Sequence, residues 1–255
     1  TTLFRSLPMG HEFTSFILAL LQVSGRPPKV DEDTIERIKK IDKPINLETY
    51  VSLTCHNCPD VVQAFNIMAV LNPNITHTMI EGGMYQDEVK AKGIMSVPTV
   101  YKDQEEFTSG RATIEQLVEK LDGPLDADAF ADKGVYDVLV IGGGPAGNSA
   151  AIYAARKGLK TGLLAETFGG QVIETVGIEN MIGTLYTEGP KLMAQVEEHT
   201  KSYDVDIIKS QLATGIEKKE LIEVTLANGA VLKSKTAILA LGAKWRNINV
   251  PGEEE

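Results

Sequence analysis

The sequence predicts an α/β protein of two successive modules, and three observations carry that expectation. Strand and helix periodicities alternate along the chain in two separate runs. In the first run the dithiol Cys55-His56-Asn57-Cys58 lies between a strand and a helix. In the second, a glycine-rich turn from Gly142 to Gly147 occupies the equivalent place. A length of 255 residues suits two domains, and 43% hydrophobic with 24% charged residues provides the side chains for two cores.

Each element has its own signal. From Glu12 to Val23 the apolar residues Phe13, Phe16, Ile17, Leu20 and Leu21 recur at helical spacing, and Gly25-Arg26-Pro27-Pro28 ends the amphipathic helix they define. A second helix turns Ile35, Ile38 and Ile41 inward and carries Asp31, Glu32 and Asp33 near its positive N-terminus. After Pro44 the run reads strand (Ile45 to Leu53), helix (Pro59 to Leu71), strand (Ile75 to Ile80) and short helix (Tyr85 to Lys92). A third strand from Val97 to Tyr101, a hairpin partner from Glu106 to Thr108 and a closing helix from Ala112 to Leu121 complete the first module. The acidic, small-residue stretch from Gly123 to Gly134 reads as an interdomain linker or short helix. Tyr136 to Ile141 is then apolar apart from Asp137, as a buried parallel strand should be. The glycine turn, a helix from Pro145 to Lys157 and a strand from Thr161 to Ala165 make a βαβ unit.

The net charge of −10 and pI near 5.0 argue against nucleic acid or an anionic membrane as partner. No apolar run approaches the roughly 20 residues of a membrane span, and no basic-then-apolar leader opens the chain, so a cytoplasmic address is expected. Two cysteines do not make a disulfide scaffold; adjacent as they are, they read as a working dithiol in a reducing compartment.

A Cys-x-x-Cys between strand and helix places its first sulfur at the helix N-terminus, where free N–H groups favour the thiolate. Cys55 is therefore the expected nucleophile, its pKa lowered from about 8.5 to roughly 7 or below, and Cys58 the resolving thiol. Val97-Pro98-Thr99 opens the third strand; in thioredoxin-like folds a proline at this place is cis and lies against the sulfurs. Zinc binding and a pair of inert core thiols are the alternatives. His11, His77 and His199 show no ligand spacing to the dithiol, so no metal is expected.

Gly142, Gly144 and Gly147 form a G-x-G-x-x-G in its proper strand-to-helix context. The first glycine makes the tight turn, the second lets the backbone approach a pyrophosphate, and the third lets helix and strand pack closely. Pro145 and Ala146 share the loop, and Glu166, directly after the second strand, is the acid expected to bind ribose hydroxyls.

Phe168-Gly169-Gly170-Gln171 and Ile178-Glu179-Asn180 resemble the segments that wrap the flavin in thioredoxin-reductase-type enzymes. Ile238 to Ala243 resembles the strand and turn that close on FAD there, with Leu241 where that family usually has threonine. The resemblance nominates Gly169, Gly170, Gln171, Asn180, Ala240 and Gly242 as cofactor-binding and FAD as the cofactor. The expected fold is thus a thioredoxin-like (glutaredoxin-like) domain, 44–122, followed after the linker 123–134 by a partial Rossmann-like FAD-binding domain, 135–255.

The two halves in this order resemble the family of flavoprotein subunits of bacterial alkyl hydroperoxide reductase. The carriers are Leu7 to Phe13 (LPMGHEF), Ser52 to Asp60 (SLTCHNCPD), Val97-Pro98, the glycine loop, Phe168 to Gln171, and Ala243 to Glu253 (AKWRNINVPGE). This resemblance implies electrons passing from NAD(P)H to FAD, to a dithiol beside the flavin, to Cys55 and Cys58, and on to a peroxiredoxin that reduces hydroperoxides. It implies that residues 1–43 are the C-terminal half of a cysteine-free thioredoxin-like unit, and it allows a homodimer through the flavin domain. It places Glu12 near the dithiol as a residue that tunes its pKa, though a helix-start carboxylate explains Glu12 equally well. The sequence holds no second Cys-x-x-Cys and no second G-x-G-x-x-G. With Thr1 first and three glutamates last, the chain reads as a piece of something longer, unable to turn over with NADH alone. Competing readings are a thioredoxin reductase fused to a glutaredoxin-like domain, a non-enzymatic dithiol carrier and a zinc-bound structural protein.

Overall fold

The alternation of Ile75, His77 and Met79 is realised as a strand: all three side chains are fully buried while Thr76 and Thr78 stay partly exposed. That strand belongs to the first of two units into which the chain divides, between Pro124 and Leu125. The computed structural model describes residues 1–7 and 9–243.

The first unit comprises β1 (Thr2–Arg5), α1 (Glu12–Val23), α2 (Glu32–Lys40), β2 (Ile45–Val51), α3 (Cys58–Leu71), β3 (Ile75–Glu81), α4 (Gln86–Lys92), β4 (Thr99–Lys102), β5 (Glu105–Ser109) and α5 (Ile114–Asp122). Its sheet has the order β1-β3-β2-β4-β5. The strands β1, β3 and β2 run parallel, and β4 and β5 return antiparallel. The strand β1 has no sequence expectation behind it. It adds an edge beside β3, so residues 1–43 share the sheet and helical layers of the dithiol module.

Phe65, Met68, Ile38, Leu47, Ile75 and Leu117 form the main core, all fully buried. Truncating a side chain such as Phe65 to alanine costs about 3–5 kcal/mol. The closing helix α5 starts with a capping box: Thr113 accepts from the Gln116 N–H while Gln116 accepts from the Thr113 N–H. The helix α1 departs from simple amphipathic burial. Its buried residues are Glu12, Ser15 and Ala19, and Phe13, Ile17 and Leu20 are exposed. The small side presses on α3, where Gln63 Nε2 donates to the Ser15 hydroxyl at 3.2 Å.

The second unit opens with a 3-10 helix, Ala127–Lys133, in the expected linker, and buries Phe130 in its core. Then follow β6 (Val135–Ile141), α6 (Pro145–Ala155), β7 (Thr161–Ala165), α7 (Gly189–Lys201), β8 (Val205–Lys209), β9 (Ala213–Lys218), β10 (Ile222–Leu226) and β11 (Val231–Leu239). The sheet order is β8-β7-β6-β11-β10-β9. Its first four strands are parallel, and β9 to β11 form an antiparallel meander. This is the α/β, Rossmann-like order the sequence predicts, with the glycine loop at the C-terminal end of β6, in the middle of the sheet.

Candidate functional site

In the first unit the chain leaves β2 and places the dithiol directly ahead of α3. Cys55 and Cys58 form a disulfide with Cα atoms 5.6 Å apart. Cys58 is fully buried and Cys55 half-buried. The Cys58 N–H donates to Sγ of Cys55 at 3.1 Å, because the first N–H groups of a helix have no partner within it. Val51, Val62 and Met79 form an apolar floor under the pair, with Phe4 and Val97 at its margin. The peptide between Val97 and Pro98 is cis, Pro98 is buried, and the Val97 carbonyl oxygen lies 3.7 Å from Sγ of Cys55.

A second segment reaches the same place. Gly10 has φ +58°, and a Cβ there would strike the Leu53 carbonyl oxygen; the next residue, His11, donates its N–H to that oxygen at 3.0 Å. The His11 ring consequently lies 4.3 Å from that of His56, inside the dithiol loop. Sequence spacing gave no sign of this pairing, because it depends on α1 docking on α3. Glu12 follows, completely buried, with neither carboxylate oxygen hydrogen-bonded among the described residues. Burial pushes its pKa up to about 7; the nearby Ser15 hydroxyl offsets part of this, and the charge of Asp60 adds to it. Asp60 itself is paired with Arg111 at 2.7 Å. Glu12 is thus a buried acid, next in the chain to the histidine that meets the dithiol loop.

In the second unit a cavity of about 790 Å³ opens at the C-terminal ends of β6, β7 and β11. Gly142, Gly144, Pro145, Ala146, Glu166, Gly170, Gln171, Ala240 and Gly242 all line it. Gly147 and Gly169 do not. Each is buried behind the lining, where a Cβ on Gly147 would strike the Gly142 carbonyl and one on Gly169 would strike Ile173. Asn180 is exposed and outside the lining. A side chain on Gly144 would instead enter open space. Among the described residues no protein atom requires glycine there, whereas a ligand lying against the backbone would. Thr167, Gln211 and Leu212 also line the cavity, and no motif pointed to them. Gln211 comes from the loop between β8 and β9, which only the tertiary fold brings to the site. The expected segment after Ala243, like Pro8, lies outside the described residues.

Among the described residues no cluster of three or more His, Cys, Asp or Glu side chains could hold a metal ion, and no helix is long and apolar enough to cross a membrane.

A cysteine pair at a helix N-terminus in one unit and a glycine-lined cavity at the strand ends of the next define a dithiol module joined to a nucleotide-binding module, as in flavoprotein disulfide reductases. Comparison with known proteins agrees. Residues 45–122 match the thioredoxin domain family and residues 136–255 the pyridine nucleotide-disulphide oxidoreductase family. The chain is similar over nearly all of its length to alkyl hydroperoxide reductase F subunits. It is 56% identical over 258 residues to the member of Xanthomonas campestris and 52% identical over 253 residues to that of Staphylococcus aureus. It is also 62% identical over 252 residues to a Bacillus subtilis protein named NADH dehydrogenase. Each match takes in 99% of this chain, which spans about half the length of the curated relatives it matches.

Proposed function

We propose that this chain carries the flavin-binding and partner-reducing parts of an NAD(P)H-dependent peroxiredoxin reductase. The observation that carries the reading is the asymmetry of the dithiol: Cys55 is accessible and receives the Cys58 N–H, while Cys58 is completely buried. After reduction, the Cys55 thiolate attacks a sulfur of the partner's disulfide, forming a mixed disulfide and releasing one partner thiolate. The Cys58 thiolate then attacks Cys55, which releases the second partner thiolate and restores the disulfide. Two electrons pass to the partner. On this reading Glu12, its own pKa raised by burial, tunes the pKa of the dithiol.

The cavity of the second unit fits FAD. The Gly142 to Ala146 backbone at the start of α6 suits the pyrophosphate, as helix N-termini suit anions. Glu166 suits the ribose hydroxyls, and Gly170, Gln171 and the Ala240 to Gly242 turn flank the remaining space. When bound, FAD supplies two-electron transfer from a reduced nicotinamide to a disulfide. On this reading residues 1–43 are the back half of a cysteine-free thioredoxin-like unit, and the partner is a peroxiredoxin.

Trapping tests the reading. The Cys58→Ser variant, mixed with a disulfide-form bacterial peroxiredoxin, is expected to accumulate a covalent adduct through Cys55 that reductant dissolves. Equal or faster adduct formation with oxidised thioredoxin would move the assignment to a thioredoxin reductase. No adduct with either would leave the module without a protein-disulfide substrate.

A further inference from the structure

Asn148 sits in the first turn of α6 with no solvent exposure, an uncommon place for a carboxamide. Its Nδ2 donates to the Gly143 carbonyl at 2.7 Å and to the Gly144 carbonyl at 3.0 Å. Two carbonyl partners fix which end of the amide is nitrogen. Oδ1 then accepts from the hydroxyl of Thr200 at 2.8 Å; Thr200 is also fully buried, on α7. The Gly143 carbonyl takes a second donor, the Gly169 N–H, at 2.8 Å. One oxygen thus joins the glycine loop to the Phe168 to Gln171 segment.

In a trans peptide the C=O and N–H point in opposite directions. With the Gly143 carbonyl held inward by Asn148 and Gly169, the Gly144 N–H of the same peptide faces outward, on the side where Gly144 lines the cavity. The next peptide, to Pro145, has no N–H to offer. The orientation of the 143–144 peptide therefore decides whether this part of the loop presents a donor or a carbonyl oxygen to an anion. Glycines impose little preference of their own, so an external constraint is needed.

We propose that Asn148 is the positioning residue of this anion cradle, its amide fixing the 143–144 peptide so that the Gly144 N–H faces the pyrophosphate. The inference rests on the FAD reading above. Nothing in the glycine motif itself calls for a carboxamide at this position.

The experiment uses the full chain, with FAD affinity followed by quenching of flavin fluorescence and amide hydrogen exchange followed without flavin. Wild-type protein is measured first; if it takes up no FAD, the cofactor reading fails, and this inference with it, before any variant is made. Asn148→Ala and Asn148→Asp, neither of which can donate to the two carbonyls, are expected to weaken FAD at least tenfold. Both should also speed exchange at Gly144 and Gly147 while leaving exchange in the β6 and β7 strands unchanged. Thr200→Val, which keeps both donations, is expected to stay within about threefold of wild type. FAD affinity within twofold of wild type in Asn148→Ala would overturn the proposal. So would an equal loss in Thr200→Val, or faster exchange throughout the sheet, since these mark a packing role only.

Discussion

The backbone N–H of Cys58 points at Sγ of Cys55 from 3.1 Å, so the helix that begins at Cys58 offers its first free donor to the sulfur of the more exposed cysteine. In the reduced protein the same donor would meet a thiolate, and charge-assisted hydrogen bonds are about twice as strong as neutral ones. Cys55 in the Cys58→Ser variant is therefore expected to titrate well below the ordinary thiol value of about 8.5, at roughly 7 or lower. Thiolate ultraviolet absorbance against pH measures it. A value at or above that of a free thiol would remove Cys55 as the nucleophile.

Glu12 makes a separate prediction with a definite sign. Its folded pKa is raised from 4.5 to about 7 by burial. Between those values the unfolded chain has lost a proton the folded one keeps, so stability falls as pH rises through this window. Glu12→Gln removes the effect. Relative to wild type, the variant should gain roughly 3 kcal/mol between pH 4 and pH 8, at about 1.4 kcal/mol per pKa unit. Urea midpoints at the two pH values measure the gain; a constant difference between the two proteins would contradict it.

His77 acts in the opposite direction. Its ring is fully buried, with Nε2 2.9 Å from the Thr49 hydroxyl and Nδ1 2.8 Å from Asn66 Oδ1. Burial, with a smaller contribution from the N-terminal charge, lowers its pKa from 6.5 to about 3. Below pH 6.5 the unfolded chain takes up a proton that the folded one refuses, so stability is lost as pH falls toward 3. His77→Leu should flatten this acid limb. At pH 7 it should cost about 1–3 kcal/mol for each of the Thr49 and Asn66 groups left unpaired. Acid denaturation that is identical in the variant would rule His77 out as its source.

The elements with strong periodicity or punctuation were legible in the sequence. Helix α1 and strand β7 have the limits expected, and the βαβ unit around the glycine loop appears as predicted. The strand β1 was not, because Thr2 to Arg5 is too short to carry a period; it is a strand only because β3 offers it an edge. The inverted burial of α1 was hidden for a related reason. Hydrophobic spacing locates a stripe, but which side packs depends on the small residues Ser15 and Ala19 meeting α3. At the site, local motifs announced the dithiol and the glycine loop. The His11 and His56 rings, Gln211 and the Asn148 amide meet their partners only through tertiary structure, and single-residue signals do not encode such meetings.

Two glycines of one motif should respond differently to the same change. At Gly147 a Cβ would collide with the Gly142 carbonyl, backbone against backbone, so Gly147→Ala should destabilise the second unit and abolish FAD uptake together. At Gly144 the added methyl enters open space and φ is −75°, so Gly144→Ala should fold with wild-type stability and lose FAD affinity alone. Thermal unfolding and flavin titration on both variants separate the effects. Undiminished FAD affinity in a folded Gly144→Ala would mean that no ligand lies against that residue.

The deciding measurement is the visible spectrum of the wild-type chain after incubation with FAD and gel filtration, with free thiols counted before and after reduction. The expected result is the bands of an oxidised flavin at close to one per chain, together with a gain of two thiols from Cys55 and Cys58. A colourless protein that still gains two thiols would contradict the flavin-linked reading, leaving a dithiol carrier with a nucleotide-shaped cavity that does not hold a flavin.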